Sequence, residues 1–281
     1  MALSERTGAL RSLLFAPGDD ERKLRKALAA GADAAVFDLE DAVAVAAKAQ
    51  ARAVTRAFLT EPRGATARFV RINAHNTAWF EDDVELVAAA ATDAIVLPKA
   101  TPQGAAALAS VAALPVIAIV ETAIGLRLAF ETASSPNVVA LLLGAVDLGA
   151  ELGLQTREDG LEILYARSKL VVDSAAAGIR APIDVVHTAI ADLDGLARQA
   201  ALARSLGLRG KACIHPSHVA AINEAFTPSS EEIEWARRVV AAASRAASEG
   251  RGAINLDGWM VDAAVVLRAQ RLVDESEGGD G

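Results

Sequence analysis

Apolar residues fall in eight short runs, at 11–17, 34–40, 68–73, 94–99, 115–121, 138–147, 179–186 and 211–216. Most runs are continuously apolar rather than alternating. That is the pattern of parallel strands covered on both faces. Between them lie Ala-rich stretches with helical spacing, at 20–30, 46–59, 79–91, 103–112, 123–133, 158–177 and 192–206. Some carry start signals, such as Asp19 and Asp20 before the first and Thr101-Pro102 before the fourth. Eight strands alternating with helices fit either a doubly wound sheet or a closed barrel. The count of eight and the length of 281 residues favour the (β/α)8 TIM barrel, which needs about 250 residues.

Helical pattern resumes at 217–224 and 229–248, and is broken by Glu249-Gly250-Arg251-Gly252. A last unit follows, with a turn expected at Asp257-Gly258 and a helix over about 261–274. The division expected is a barrel over 1–250 and a short appended segment over 251–281.

Composition narrows the function. Hydrophobic residues make up 53%, ample for a large core. A net charge of −8 argues against a general nucleic-acid binder, which would present a basic surface. The single Cys213 excludes an internal disulfide framework and a Cys-cluster zinc site. No apolar run reaches the roughly 18 residues of a membrane span. The first residues, MALSERTGALRS, lack the apolar core of a signal peptide, so a cytoplasmic protein is expected.

The chemistry is legible from where polar residues interrupt the apolar runs. Catalytic groups of a (β/α)8 barrel sit at the C-terminal ends of its strands. Here the runs end in, or carry near their ends, Asp38, Glu40 and Asp41, then Arg71 and Asn73, Lys99, Glu121, Asp147, Asp184 and His215. Such groups are costly to bury without partners, so their convergence predicts a polar site, with a structural ion-pair network as the rival. Glu121 and Asp147, on adjacent predicted strand ends, can share one divalent cation, two carboxylates with water and substrate oxygens being a usual Mg²⁺ arrangement. Arg71 suits a bidentate grip on a carboxylate, or on Asp38 or Glu40. Lys99 at a strand end would suit a Schiff base, a reading that competes with the metal. Arg11, Arg22, Lys23, Lys26, Lys48 and Arg52 cluster in sequence around the first two loops and would suit an anionic ligand. The four His residues have no metal-binding spacing. There is no GxxxxGK[ST] loop, no GxGxxG after a strand and no GxSxG elbow.

Taken in order, RSLLFAPGDD, FDLEDAV with Lys48 and Arg52 downstream, VRIN, VLPKA, IVETAIGL, LLLGAVDLGAELG and KACIHPSHV resemble the citrate lyase β-subunit-like family. That family includes malyl-CoA and citramalyl-CoA lyases, within the HpcH/HpaI aldolase superfamily. The resemblance spans roughly residues 10–274. It implies a Mg²⁺-dependent barrel acting on coenzyme A thioesters, with Glu121 and Asp147 as metal ligands and Arg71 on the 2-oxo acid and its developing oxyanion. Asp38, Glu40 and Asp41 would line or brace the site. The segment LDGWMVD resembles a C-terminal lid supplied by a neighbouring subunit, with Asp262 exchanging a proton with the acyl carbon. The coenzyme A candidates are Arg11, Lys23, Lys48 and Arg52, with His215 shaping the thioester end.

The expected activity is therefore a carbon–carbon lyase acting on an acyl-CoA, with acetyl-CoA and a 2-oxo acid as small-molecule partners. Neither nucleic acid nor a membrane is expected, and the lid implies a homo-oligomer, a trimer or a dimer of trimers. The alternatives are a citrate lyase β subunit acting on an acyl-carrier-protein thioester, a malate-synthase-like enzyme that also hydrolyses the thioester, and a catalytically silent coenzyme A-binding protein.

Overall fold

The computed structural model describes residues 9–248 and 253–277. These residues form two compact units that meet in sequence at Phe226 and Thr227. The first is a closed barrel of eight parallel strands in chain order, β1 (Ser12–Pro17), β2 (Ala34–Asp38), β3 (Ala67–Arg71), β4 (Ala94–Leu97), β5 (Val116–Val120), β6 (Val138–Leu143), β7 (Ile183–Asp184) and β8 (Gly210–Cys213), with β8 pairing back onto β1. The helices between them are α1 (Glu21–Leu28), α2 (Lys48–Thr60), α3 (Phe80–Ala89), α4 (Pro102–Ala109), α5 (Ala123–Arg127) and α6 (Ala129–Ala133), α7 (Ala145–Leu152), α8 (Leu164–Ala177), α9 (Leu193–Leu206) and α10 (Val219–Phe226). The (β/α)8 architecture matches the apolar pattern because each strand is buried on both faces.

Local chemistry sets the helix starts. The Asp20 side chain accepts from the Lys23 amide and opens α1. The Thr101 side chain accepts from the Gly104 amide and opens α4, with Pro102 in its first turn. Three segments differ from expectation. β7 shrinks from 179–186 to two residues, since Pro182 has no amide hydrogen to give a ladder. The last strand-like run, 138–147, stops at Leu143, and Gly144 opens the unanticipated helix α7. The predicted helix over 158–177 begins only at Leu164, after a single 3₁₀ turn.

Two apolar layers result. One links alternate residues of the barrel strands, including Leu13, Val36, Phe69, Val96, Ile119 and Leu142, and fills the barrel interior. The other joins the opposite strand faces to the helices, through Phe37, Phe58, Leu86, Leu141 and Leu170 among others.

The second unit begins at Thr227, not near 250. Helix α11 (Ser230–Ser248) packs with α12 (Ala263–Ser276) and the hairpin β9 (Ile254–Leu256) and β10 (Trp259–Val261) around Ala236, Val239, Val261 and Ala269. The boundary expected from the Gly-rich break misses that partnership, and the break itself, 249–252, lies outside the described residues. The expected turn is present. Asp257 and Gly258 both have positive φ, 55° and 88°, as a two-residue hairpin loop of the I′ kind requires. Among the described residues no helix is long and apolar enough to cross a membrane.

Candidate active site

The polar rim follows from strand parity. Ala34 and Val36 face the barrel interior, so Asp38 does too; Ala67 and Phe69 carry Arg71 inward, and Ile117 and Ile119 carry Glu121. Each of these three caps an inward-facing apolar stack at the C-terminal end of its strand. Register then pairs Asp38 with Arg71 directly across β2 and β3.

That neighbour pair is a two-pronged ion pair. Arg71 Nε donates to Asp38 Oδ1 at 2.7 Å and Nη2 to Oδ2 at 2.5 Å. The amides of Glu40 and Ala42 donate to the same carboxylate, at 2.8 and 3.1 Å. Arg71 Nη1 lies 3.1 Å from Glu40 and 3.6 Å from Asp41, and the guanidinium sits over the Phe15 ring at 5.3 Å. Burial works against the Arg71 charge, but the bonds to Asp38 and the nearby Glu40 and Asp41 outweigh it and raise its pKa. This cation is permanent and fixed in direction.

Lys99 follows β4 with φ of 47°, a left-handed conformation that costs a residue with a side chain of order 1 kcal/mol or more. The strain lets one residue hold two carboxylates. Its amide donates to Glu121 Oε1 at 2.6 Å and its ammonium to Glu40 Oε1 at 2.5 Å. An ammonium bound to Glu40 is engaged in an ion pair, and the bond to Glu40 raises its pKa against the pull of burial. A Schiff-base lysine needs the opposite.

Glu121 is buried, and its second oxygen accepts no hydrogen bond among the described residues. Burial first, then the charges of Glu40 and Asp147, push its carboxyl up to about 7, against the opposing Lys99 amide. Asp147 is not on a strand end. It is exposed in the first turn of α7 and lines the same cavity as Glu121. Gly144, between them in sequence, is required there. A Cβ on it would lie 2.4 Å from Glu121 Cβ and 2.8 Å from Glu121 Oε2. The glycines of GAVDLGAELG carry no phosphate-loop spacing, so nothing in the sequence marked this one; only the approach of Glu121 reveals it.

These donors fit a hard divalent cation. Two oxygen ligands on one side of an open cavity, with no third carboxylate or His completing a cage among the described residues, leave positions for water and substrate oxygens. The clustered negative charge supplies the attraction.

The cavity measures about 1180 Å³, and the described residues that line it include Phe15, Arg71, Glu121, Asp147 and His215. Arg22, Lys23 and Lys26 of α1 form a basic flank. Of the expected coenzyme A contacts, Lys23 and His215 are therefore at the cavity. His215 also caps the following 3₁₀ turn, its Nδ1 accepting from the Ser217 amide at 3.3 Å. The other three are elsewhere. Arg11 precedes β1, at the opposite end of the barrel, and grips Asp33 with its Nε at 3.0 Å and Nη2 at 2.8 Å. Arg52 pairs with Asp82 and Asp83 at the foot of α3. Lys48 is buried with its ammonium on the Leu39 and Glu40 carbonyls. Asp184 is also absent from the rim. It is fully buried, bound by Arg167 of α8 and Lys211 of β8. Asp262 belongs to the second unit, where its Oδ1 accepts from the amides of Ala264 and Val265, both at 3.0 Å, and caps α12.

The HpcH/HpaI aldolase/citrate lyase family profile matches residues 11–216, the whole strand sequence of the barrel. The chain belongs to that family. A (3S)-malyl-CoA thioesterase of Cereibacter sphaeroides is 38% identical over 272 residues, covering 95% of this chain and 94% of that one. The mitochondrial citramalyl-CoA lyase of Rattus norvegicus is 35% identical over 287 residues, covering 94% and 85%. Among solved structures, the CitE protein of Mycobacterium tuberculosis, in complex with magnesium, acetoacetate and coenzyme A, superposes with a TM-score of 0.82 at 37% identity, over 96% of this chain and 98% of the other.

Proposed function

We propose that this family member is a Mg²⁺-dependent carbon–carbon lyase. It would cleave, or in reverse form, a β-hydroxyacyl-CoA such as citramalyl-CoA or malyl-CoA, with acetyl-CoA and a 2-oxo acid as the other side of the reaction. The observation that carries the reading is the pairing in a single cavity of the fixed Arg71 with two carboxylates, Glu121 and Asp147, that no ion pair engages among the described residues. The magnesium-, acetoacetate- and coenzyme A-bound relative supports it.

Glu121 and Asp147 would hold a divalent cation, which would supply Lewis-acid polarisation of the 2-oxo acid. Arg71 faces the cavity and offers a second positive charge where negative charge grows on the 2-oxygen. Asp38, which also lines the cavity, holds the guanidinium plane. Arg22, Lys23 and Lys26 would meet the phosphates of coenzyme A. In cleavage the hydroxyl gives its proton to a base in the cavity, water or a carboxylate, and its oxygen becomes the 2-oxo group as the bond between that carbon and the acyl α-carbon breaks. The electron pair passes to the α-carbon as the thioester enolate, and that carbon then takes a proton. Asp262 would be the donor, and its Oδ2 accepts no hydrogen bond among the described residues. If it serves a neighbouring copy, the active form is a homo-oligomer. Mixing inactive Arg71→Ala with inactive Asp262→Ala then restores part of the activity, and no recovery after verified subunit exchange contradicts that arrangement.

The similarity to (3S)-malyl-CoA thioesterases favours a second reading, in which the thioester is also hydrolysed. One assay separates the two. Acetyl-CoA and Mg²⁺ are offered with glyoxylate or pyruvate and the products are read by mass spectrometry, with a chelator control. Metal-dependent malyl-CoA or citramalyl-CoA supports the lyase; free malate or citramalate supports hydrolysis. No product with either acid contradicts both.

A further inference from the structure

Lys48 is 6% exposed, yet its ammonium is fully bonded. Its three hydrogens meet three acceptors: the Leu39 carbonyl at 2.6 Å, the Glu40 carbonyl at 2.7 Å and Asn73 Oδ1 at 2.8 Å. The Trp79 ring lies 5.3 Å from the same nitrogen. Asn73 is itself fixed: its amide nitrogen Nδ2 donates to the Leu39 carbonyl at 3.0 Å and to Asp83 Oδ2 at 2.6 Å. Arg52 holds the other Asp83 oxygen at 3.2 Å.

The segment clamped in this way is the one that follows β2. Its carbonyls at 39 and 40 go to Lys48, while its amides at 40 and 42 go to the Asp38 carboxylate. Its side chains then meet the catalytic rim, Glu40 on both Arg71 and Lys99. Without the ammonium, the Asn73 oxygen loses its donor in a buried place. The Leu39 and Glu40 carbonyls are left with one donor each, Asn73 Nδ2 at 3.0 Å and the Val43 amide at 3.1 Å, so the segment is held by fewer bonds and is freer to move.

We propose that Lys48 is a positioning residue of this site, acting through residues 39–42 on Asp38, Glu40 and Arg71, and is not a ligand for coenzyme A. Its kinetic consequence rests on the lyase reading; its structural consequence does not. The experiment compares the full-length chain with Lys48→Met, Lys48→Arg and, should the Met variant fail to fold, Asn73→Ala, which removes one of the clamp's acceptors.

Hydrogen exchange read by mass spectrometry over residues 37–44 is the arm independent of activity. The account expects exchange about 10-fold or more faster in Lys48→Met at unchanged protection of the other strands. In the condensation assay it expects kcat lower by about 10- to 100-fold. The KM for acetyl-CoA and the Kd for coenzyme A stay as in the parent, and Lys48→Arg recovers part of kcat. Unchanged exchange over 37–44 in the Met and Ala variants overturns the proposal, as does weakened coenzyme A binding with intact kcat. If the parent chain turns over no substrate, the lyase reading fails and the exchange result still decides the role of Lys48.

Discussion

Asp184 and Glu121 both lie at or just past the C-terminal end of a barrel strand, and both are buried, yet their carboxyls are displaced in opposite directions. Burial alone raises each. At Asp184 the charges of Lys211 and Arg167, at 2.6 and 2.8 Å, overcome it and hold the carboxyl below the usual range. At Glu121 burial and the neighbouring carboxylates Glu40 and Asp147 outweigh the Lys99 amide and ammonium and bring it to about 7. One cluster is closed, two cations around one carboxylate, sealed between β7, β8 and α8. The other is open to a cavity and keeps surplus negative charge. A charge at a strand end is thus not a site in itself. What distinguishes the site is a carboxylate left without a counter-ion and facing space for one.

Removing Asp184 should have the largest effect and should be purely structural. Asp184→Ala leaves Arg167 and Lys211 buried together without a carboxylate and is expected to cost about 3–5 kcal/mol in urea unfolding. The stabilisation conferred by Mg²⁺ on the folded fraction stays the same. Arg71→Ala reverses the pattern: kcat for condensation falls by about 10²- to 10³-fold while the coenzyme A Kd is unchanged, read by steady-state kinetics and calorimetry. Gly144→Ala sharpens the contrast within the open cluster. Its methyl group forces Glu121 aside, costing about 1–3 kcal/mol in unfolding and weakening Mg²⁺ binding in titration calorimetry. The smallest effect belongs to Arg11→Ala. Its part-exposed pair with Asp33 accounts for about 1 kcal/mol or less, and the KM for acetyl-CoA stays unchanged because the pair is at the other end of the barrel.

The sequence carried the architecture well because burial on both faces writes a strand as an apolar run. It carried Asp38, Arg71 and Glu121 for a related reason: polar residues that extend an inward-facing row stand out. It did not separate Lys23 from Lys48, Arg11 and Arg52, since a basic residue near a loop looks alike whether it faces a cavity, a carbonyl or a carboxylate brought in from 22 or 31 residues away. Asp184 reads in the sequence as a rim residue because its partners, Arg167 and Lys211, are 17 and 27 residues away. Asp147 was legible as a donor but not as a helix residue, because the apolar run of β6 flows into α7 without a polar break. The left-handed turn at Lys99 left no trace at all, since lysine is not a residue that announces positive φ.

An open cation site at Glu121 with surplus negative charge ties stability to both pH and Mg²⁺. The most direct test is the unfolding free energy of the magnesium-free protein and of Glu121→Gln between pH 5 and pH 8, each repeated with saturating Mg²⁺. A carboxyl near 7 in the folded state keeps a proton that the unfolded chain has already lost, so this group makes stability fall as pH rises from about 4.5 to 7. The account predicts that Glu121→Gln removes that slope and is the more stable protein at pH 8 without metal, by about 1–3 kcal/mol. It also predicts that Mg²⁺ stabilises the parent at pH 8 and leaves the variant unmoved. Equal stabilisation of both proteins by Mg²⁺, with the same pH slope, would contradict it.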